Sequence, residues 1–262
     1  MYDFELVKPA SLAEAVKAMG DDGAQALAGG QTLVPTMKQR LASPERLVSL
    51  TGIAELQGVS AAEGRVTIGA ATCHADVAAK AAAHYPGLAA LAGQIGDPAV
   101  RNRGTIGGSL ANNDPSACYP AAALGSGATI VTNTRDIAAD DYFQGMFATA
   151  LEEGEIITAV RFPVPQAAGY VKFAQPASRF ALVGVFVARF ADGVRVAVTG
   201  ASNNGVFRWA EAEAALSGDF SADAVTGLTV PADDMIADLH GSAEYRAHLV
   251  GVMTARAVRA AG

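Results

Sequence analysis

Two glycine-bearing segments constrain this chain more than any other feature. Leu27-Ala28-Gly29-Gly30-Gln31-Thr32-Leu33 passes from the end of a small-residue strand through two glycines into a second helix or a turn. Thr105-Ile106-Gly107-Gly108-Ser109 pairs two glycines again, with a hydroxyl on either side. A dinucleotide pyrophosphate needs dense hydrogen-bond donors at close range, and glycines remove the side chains that would stand between backbone amides and phosphate oxygens. Either segment read alone is equally a tight turn. Neither has the Rossmann spacing, and the chain contains no phosphate loop ending in Gly-Lys-Ser/Thr, which disfavours the standard nicotinamide and triphosphate folds.

Around these segments the local signals alternate between helix and strand. Ser11 and Glu14 have capping-box spacing and Gly20 can close the helix they start, predicting a helix over 12–19. Short strands are expected over 47–50 and 66–70, with Thr72 capping the alanine-rich helix that follows. Asp114 as N-cap, Pro115 at the first helical position and Gly125 at the end predict a helix over 115–124. Strands over 128–131 and 155–162 follow, and the turn Pro163-Val164-Pro165 marks a boundary between two domains. Beyond it, Ala191-Asp192-Gly193 between apolar runs predicts an antiparallel pair over 183–190 and 194–199. Residues 242–259 carry Tyr245, Leu249, Val252 and Met253 at helical spacing and predict an amphipathic helix with that face in the core.

Composition excludes several classes. The net charge of -7 argues against a nucleic-acid groove, which needs clustered cations. No apolar run approaches the roughly 20 residues that cross a bilayer. The longest, from Phe180 to Ala188 between Arg179 and Arg189, reads as a buried strand. Asp3, Glu5 and Glu14 interrupt the first residues, so no secretory signal is expected there. Cys73 and Cys118 are too few for a disulfide framework and lack metal-pair spacing. His74, His84, His240 and His248 show no ligand pattern, which leaves surface or capping roles. Gly107-Gly108-Ser109-Leu110-Ala111 approximates a nucleophile elbow but ends in alanine, with no His/Asp pair placed for it. Arg101 and Arg103, after Asp97-Pro98, could orient the second glycine segment or form ion pairs at a subunit contact.

The segments AGGQTLVPTMKQRL and IGDPAVRNRGTIGGSLANNDP together resemble the two flavin-binding motifs of the FAD-binding medium subunits of molybdenum hydroxylases, of the aerobic carbon monoxide dehydrogenase and xanthine dehydrogenase type. YDFELVKPASLAEAVKAM, YFQGMFATALEEGEIITAVRFP and RWAEAEAALSG extend the resemblance over practically the whole chain. It implies an α+β fold: a two-part FAD-binding domain of the vanillyl-alcohol-oxidase (PCMH) type over 1–165, with subdomains of about 1–52 and 53–165, then a smaller α+β domain over 166–262.

The resemblance also implies a site. Ala28, Gly29, Gly30, Gln31, Thr32 and Leu33 would cradle the FAD pyrophosphate from one side, and Thr105, Ile106, Gly107, Gly108 and Ser109 from the other. Ile157 would pack near the flavin ring and Lys172 would meet its polar edge. Cys118 stands where many relatives have a carboxylate for the ribose hydroxyls, leaving that role to Asn112, Asn113, Asp114 or the backbone, since a thiol is a poorer acceptor. Arg179 replaces an acidic residue usual before Phe-Ala.

No side chain of the chain is expected to be catalytic. The function implied is electron transfer from a partner's iron–sulfur cluster through FAD to a quinone or another soluble acceptor. The 2Fe-2S clusters would sit on a small subunit and the molybdenum cofactor on a large molybdopterin subunit, in a dimer of heterotrimers. Two cysteines cannot supply a four-cysteine cluster. A cytoplasmic location is implied, peripheral to the inner face of the membrane through those partners. Two alternatives stay open: an assembly subunit that has lost flavin binding, and a free-standing FAD oxidase.

Overall fold

The computed structural model describes all residues 1–262. Its first unit is a small parallel sheet, Glu5–Val7, Arg46–Ser49 and Ala24–Leu27 in spatial order. Parallel pairing requires crossovers, and helices Leu12–Met19 and Leu33–Lys38 lie in them. The first helix starts as expected: Ser11 accepts from the Glu14 amide at 3.3 Å. The Glu14 carboxylate reaches back one residue further than a capping box requires, to the Ala10 amide at 2.8 Å. Ala15, Val48, Leu50, Ile53 and Leu56 make this unit's core, together with Ala71 and Ile156 from the next.

The second unit is a five-stranded antiparallel sheet in the order Val59–Ala62, Arg65–Gly69, Ile157–Pro163, Thr129–Thr132, Asp136–Ala138. Alternate residues Val66, Ile68, Ile130, Val160 and Phe162 are completely buried, the period-2 signature of a half-buried sheet. They pack under helices Pro86–Gly93, Ile106–Asn112 and Tyr119–Ser126.

The third unit is an antiparallel meander, Ala167–Ala174, Ala181–Phe190, Gly193–Ser202 and Gly205–Arg208, turning at Ala191-Asp192 as anticipated. Val183, Val185 and Val187 face the long helix Ala243–Ala260, whereas Phe186, Ala188 and Ala197 belong to the second unit's core. Burial of both faces explains the unbroken apolar run. Each such side chain contributes about 1.5–3 kcal/mol of burial.

Local predictions fail in several places. The helix expected over 115–124 begins only at Tyr119 and ends at Ser126; Asp114 instead accepts from the Ser116 amide at 2.8 Å in a turn. Thr72 does not cap the following helix, His74–Lys80, because its hydroxyl is engaged with both backbone groups of Gly58. Phe180 lies outside the strand and is 50% exposed, the strand beginning at Ala181. In the last helix the buried stripe runs through Arg246, Leu249, Val250, Met253 and Ala257, leaving Tyr245 exposed and Val252 half-buried.

Candidate functional site

All three units meet at one cleft, a cavity of about 480 Å³. The first unit contributes the turn after Ala24–Leu27. Gly30 there has φ +70°, a left-handed backbone that favours glycine. The Gln31 side chain donates to the Gly29 carbonyl at 3.3 Å, and Gln31 and Thr32 are exposed. None of the backbone amides from Gly29 to Thr32 finds an acceptor in the protein. They are donors waiting for a partner.

The second glycine segment is built differently. The Thr105 hydroxyl caps Ile106–Asn112 by accepting from the Gly108 amide at 3.1 Å. The Ile106 amide donates to Thr72, Gly107 to Ala70 and Ser109 to Thr105. The amides from Ile106 to Ser109 are therefore committed inside the protein. Ser109 lines the cleft half-buried, with no protein partner for its hydroxyl.

The two segments also touch. A Cβ on Gly29 would overlap the Arg103 carbonyl, and one on Gly108 would come within 3.1 Å of the Ala28 Cβ. The missing side chains thus permit wall-to-wall contact, a use of the glycines that phosphate chemistry alone does not anticipate. Arg101 helps hold this side of the cleft, donating to the Ile95 and Gly96 carbonyls at 3.1 and 2.9 Å.

Of the remaining anticipated residues, all but Asn113 line the cleft. Ile157 is buried and lines the cleft. Lys172 also lines it, but its ammonium is already engaged with the carbonyls of Gln94 at 2.8 Å and Arg179 at 2.6 Å and with the Cys118 sulfur at 3.6 Å. Asn112, Asp114 and Cys118 line the cleft, and burial holds the Asp114 carboxyl above the ordinary carboxylate range. Asn113 does not: its side-chain amide donates to Gly145 and Ala148 at 2.8 Å each, tying down the Phe143–Thr149 hairpin.

Three lining residues carry no local sequence signal. His74, expected at the surface, is buried behind Gly104, its ring 5.3 Å from that of Tyr119 and its Nδ1 without a partner. Burial, with help from the Arg101 charge, brings its pKa down to about 4. Glu155 has a side chain only 2% exposed. The Arg135 guanidinium, donating to it at 3.0 Å, holds its carboxyl well below the usual range, with Thr132 and Thr134 adding hydrogen bonds. Phe180 presents its exposed ring to the same space.

Residues 2–165 match the family of FAD binding domains in molybdopterin dehydrogenase. The carbon monoxide dehydrogenase medium chain of Hydrogenophaga pseudoflava is 35% identical, over 98% of this chain and 96% of the relative. This chain is an FAD-binding medium subunit of the molybdenum hydroxylase family. The nicotine 6-hydroxylase medium subunit of Paenarthrobacter nicotinovorans is also 35% identical, over 97% of this chain and 95% of its own length. The solved carbon monoxide dehydrogenase of Hydrogenophaga pseudoflava superposes with a TM-score of 0.89 at 36% identity, covering 99% of this chain and 97% of that one. Membership brings the two-lobed PCMH-type flavin fold and a role as the electron-transferring flavoprotein subunit of an oxidoreductase. The cleft fits the cofactor: all three units line it, and it offers a run of amides without protein partners together with the free Ser109 hydroxyl.

Proposed function

We propose that the cleft holds FAD with its pyrophosphate against Ala28–Leu33 and the Thr105–Ser109 segment opposite. The observation that carries this reading is the run of unpartnered amides from Gly29 to Thr32. The amides of the buried Gly29 and half-buried Gly30 need acceptors, and phosphate oxygens supply them, replacing water at the exposed Gln31 and Thr32. The Ser109 hydroxyl adds a donor from the second wall. Ile157 excludes water beneath the ring, and Lys172 lends positive charge to its polar edge from within its own cage of carbonyls. Asn112 and Asp114 take the ribose hydroxyls in place of the family carboxylate, with Cys118 behind them. On this reading residues 1–165 form the flavin-binding domain, divided near residue 52, and 166–262 form the C-terminal domain.

When bound, FAD supplies the redox chemistry, and the chain supplies binding, orientation and exclusion of solvent. In the assembled enzyme a small subunit would hold the 2Fe-2S clusters that deliver electrons to this chain's flavin site, a quinone or a soluble acceptor would take them up, and a large subunit would hold the molybdenum cofactor where the substrate is oxidised. The names medium chain and medium subunit borne by its relatives support such an assembly, which we take to be a dimer of heterotrimers. Two free cysteines cannot build a cluster here. Similarity to carbon monoxide dehydrogenase medium chains from two organisms supports carbon monoxide as the substrate of the whole complex. No helix is long and apolar enough to cross a membrane, and we place the complex in the cytoplasm, meeting the membrane only through partners.

The decisive experiment is spectroscopic. Purified chain or complex should show flavin absorption and release FAD on denaturation. Colourless protein that cannot be reconstituted with FAD overturns the site reading. Carbon monoxide oxidation by the complex, read by reduction of a dye, tests the substrate; turnover of aldehydes or N-heterocycles alone would replace it.

A further inference from the structure

A further wall of the cleft is the irregular stretch Asp114–Cys118, of which Asp114, Ser116, Ala117 and Cys118 line the cavity. A stretch outside any helix or strand needs partners for its backbone groups. Here they come from the third unit. The Thr199 hydroxyl, completely buried on the strand Gly193–Ser202, lies 2.7 Å from both the Pro115 and the Ala117 carbonyls. The Gly200 amide also donates to Pro115, at 2.6 Å. A hydroxyl carries one hydrogen. With Pro115 served by Gly200, that hydrogen is free for Ala117, so the pair grips the wall at two of its carbonyls.

The grip is itself anchored. The Gly200 carbonyl accepts from the buried Arg246 guanidinium at 2.7 Å, and the same nitrogen donates to Leu182 at 2.8 Å. Asp238 accepts from the other terminal nitrogen at 2.8 Å. The end of the wall is met separately by Lys172, through Cys118. A continuous polar chain therefore runs from the last helix through the third sheet to the cleft, across otherwise apolar packing.

We propose that Thr199 is a positioning residue for flavin binding: without touching the cofactor, its hydroxyl fixes the Pro115–Cys118 wall at the spacing the cofactor requires. The inference rests on the reading that this cleft holds FAD. It assigns the C-terminal unit a part in cofactor affinity rather than in scaffolding alone.

The test uses full-length chain stripped of flavin and titrated with FAD, following flavin fluorescence, with visible circular dichroism of the bound flavin as the second readout. Thr199→Val keeps the shape and removes the donor; it should raise the FAD dissociation constant about tenfold, the effect of one buried hydrogen bond, and alter the dichroism. Thr199→Ser, which restores the hydroxyl, should return both readouts to wild type. A Val variant that binds within twofold of wild type with an unchanged spectrum overturns the proposal, as does a Ser variant that loses as much as Val, since packing would then be the cause. Should the Val variant not fold, Thr199→Cys retains the volume with a weak donor and should show an intermediate loss; wild-type affinity in that variant also overturns it. Failure of the wild-type chain to bind FAD would instead overturn the cleft reading beneath it.

Discussion

The two glycine walls look alike in sequence and differ in how they are held. Ala28–Leu33 is a turn whose amides are open and whose residues Gln31 and Thr32 face solvent. Thr105–Ser109 is the start of a helix sunk into the core, with Ile106 and Gly107 buried and every amide from Ile106 to Ser109 engaged. The first wall is built to donate, and the second to stand still while the first leans on it. Their glycines reflect this: Gly29 and Gly107 make room for the backbones of Arg103 and Ala70, not for a ligand.

The largest expected effect tests that division at its point of contact. Gly29→Ala would drive a methyl group into the Arg103 carbonyl, where backbone faces backbone and no rotamer can yield. A cost of about 3 kcal/mol is expected, at the upper end for overpacking, equivalent to a melting temperature roughly 10 °C lower, with loss of retained FAD. Thermal scans and flavin content measure both. A variant destabilised by less than about 1 kcal/mol would show that the walls do not bear on each other.

Acid should act on the second wall through His74. His74 packs against Gly104, where a Cβ would meet its Nε2 at 2.5 Å, and its amide donates to the Gly104 carbonyl at 3.0 Å. Its folded pKa of about 4 lies below the ordinary imidazole value of 6.5. The unfolded chain therefore takes up this proton first, so the stability it contributes is full above pH 6.5 and is lost as pH falls toward 4. The loss should be on the order of 2–3 kcal/mol. His74→Gln, which cannot titrate, should flatten that part of the stability–pH curve; an unchanged slope would remove His74 as the cause. Carboxylates add their own fall at lower pH, Glu155 below the ordinary glutamate range, because its folded pKa is depressed.

Gly30→Ala probes the first wall away from the contact. The left-handed backbone costs about 1–2 kcal/mol for any other residue, while the nearest obstacle is the movable Val34 side chain at 3.1 Å. Thermal stability should drop less than for Gly29→Ala, but the amides at Gln31 and Thr32 shift with the turn, so FAD affinity should fall disproportionately. Parallel losses in the two variants would erase the distinction between a donating and a bearing glycine.

Much of this architecture could be read locally. Ser11 and Ser242 cap their helices, and Ala191-Asp192-Gly193 turns its hairpin, because the partners of those residues lie within a few positions. What local reading misses is decided at a distance. Asp114 and Pro115 have the form of a helix start, yet the Pro115 carbonyl accepts from the Gly200 amide and the Ala117 carbonyl from Thr199, both on a distant strand, and the helix waits until Tyr119. Thr72 caps nothing because Gly58 occupies its hydroxyl. His74 and Glu155 enter the cleft through packing that leaves no trace in their neighbours. The opposed position of the two glycine segments likewise followed from the family resemblance and not from any periodicity.

The smallest effect on stability is expected at Gly108, and it sharpens the comparison most. A Cβ there would sit 3.0 Å from the Thr105 hydroxyl and 3.1 Å from the Ala28 methyl, contacts that a few tenths of an ångström relieve. The backbone is helical, where alanine is favoured over glycine by about 1 kcal/mol, and this offsets much of the crowding. Gly108→Ala should therefore melt within about 1 kcal/mol of wild type. The added methyl nevertheless lies between the two walls and pushes outward Ala28, the residue just before the run of open amides. A several-fold weaker hold on FAD in a protein of near-normal stability would show that the second wall sets the spacing at which the first one donates. Unchanged affinity would mean that the first wall binds on its own, and that the second serves only the core.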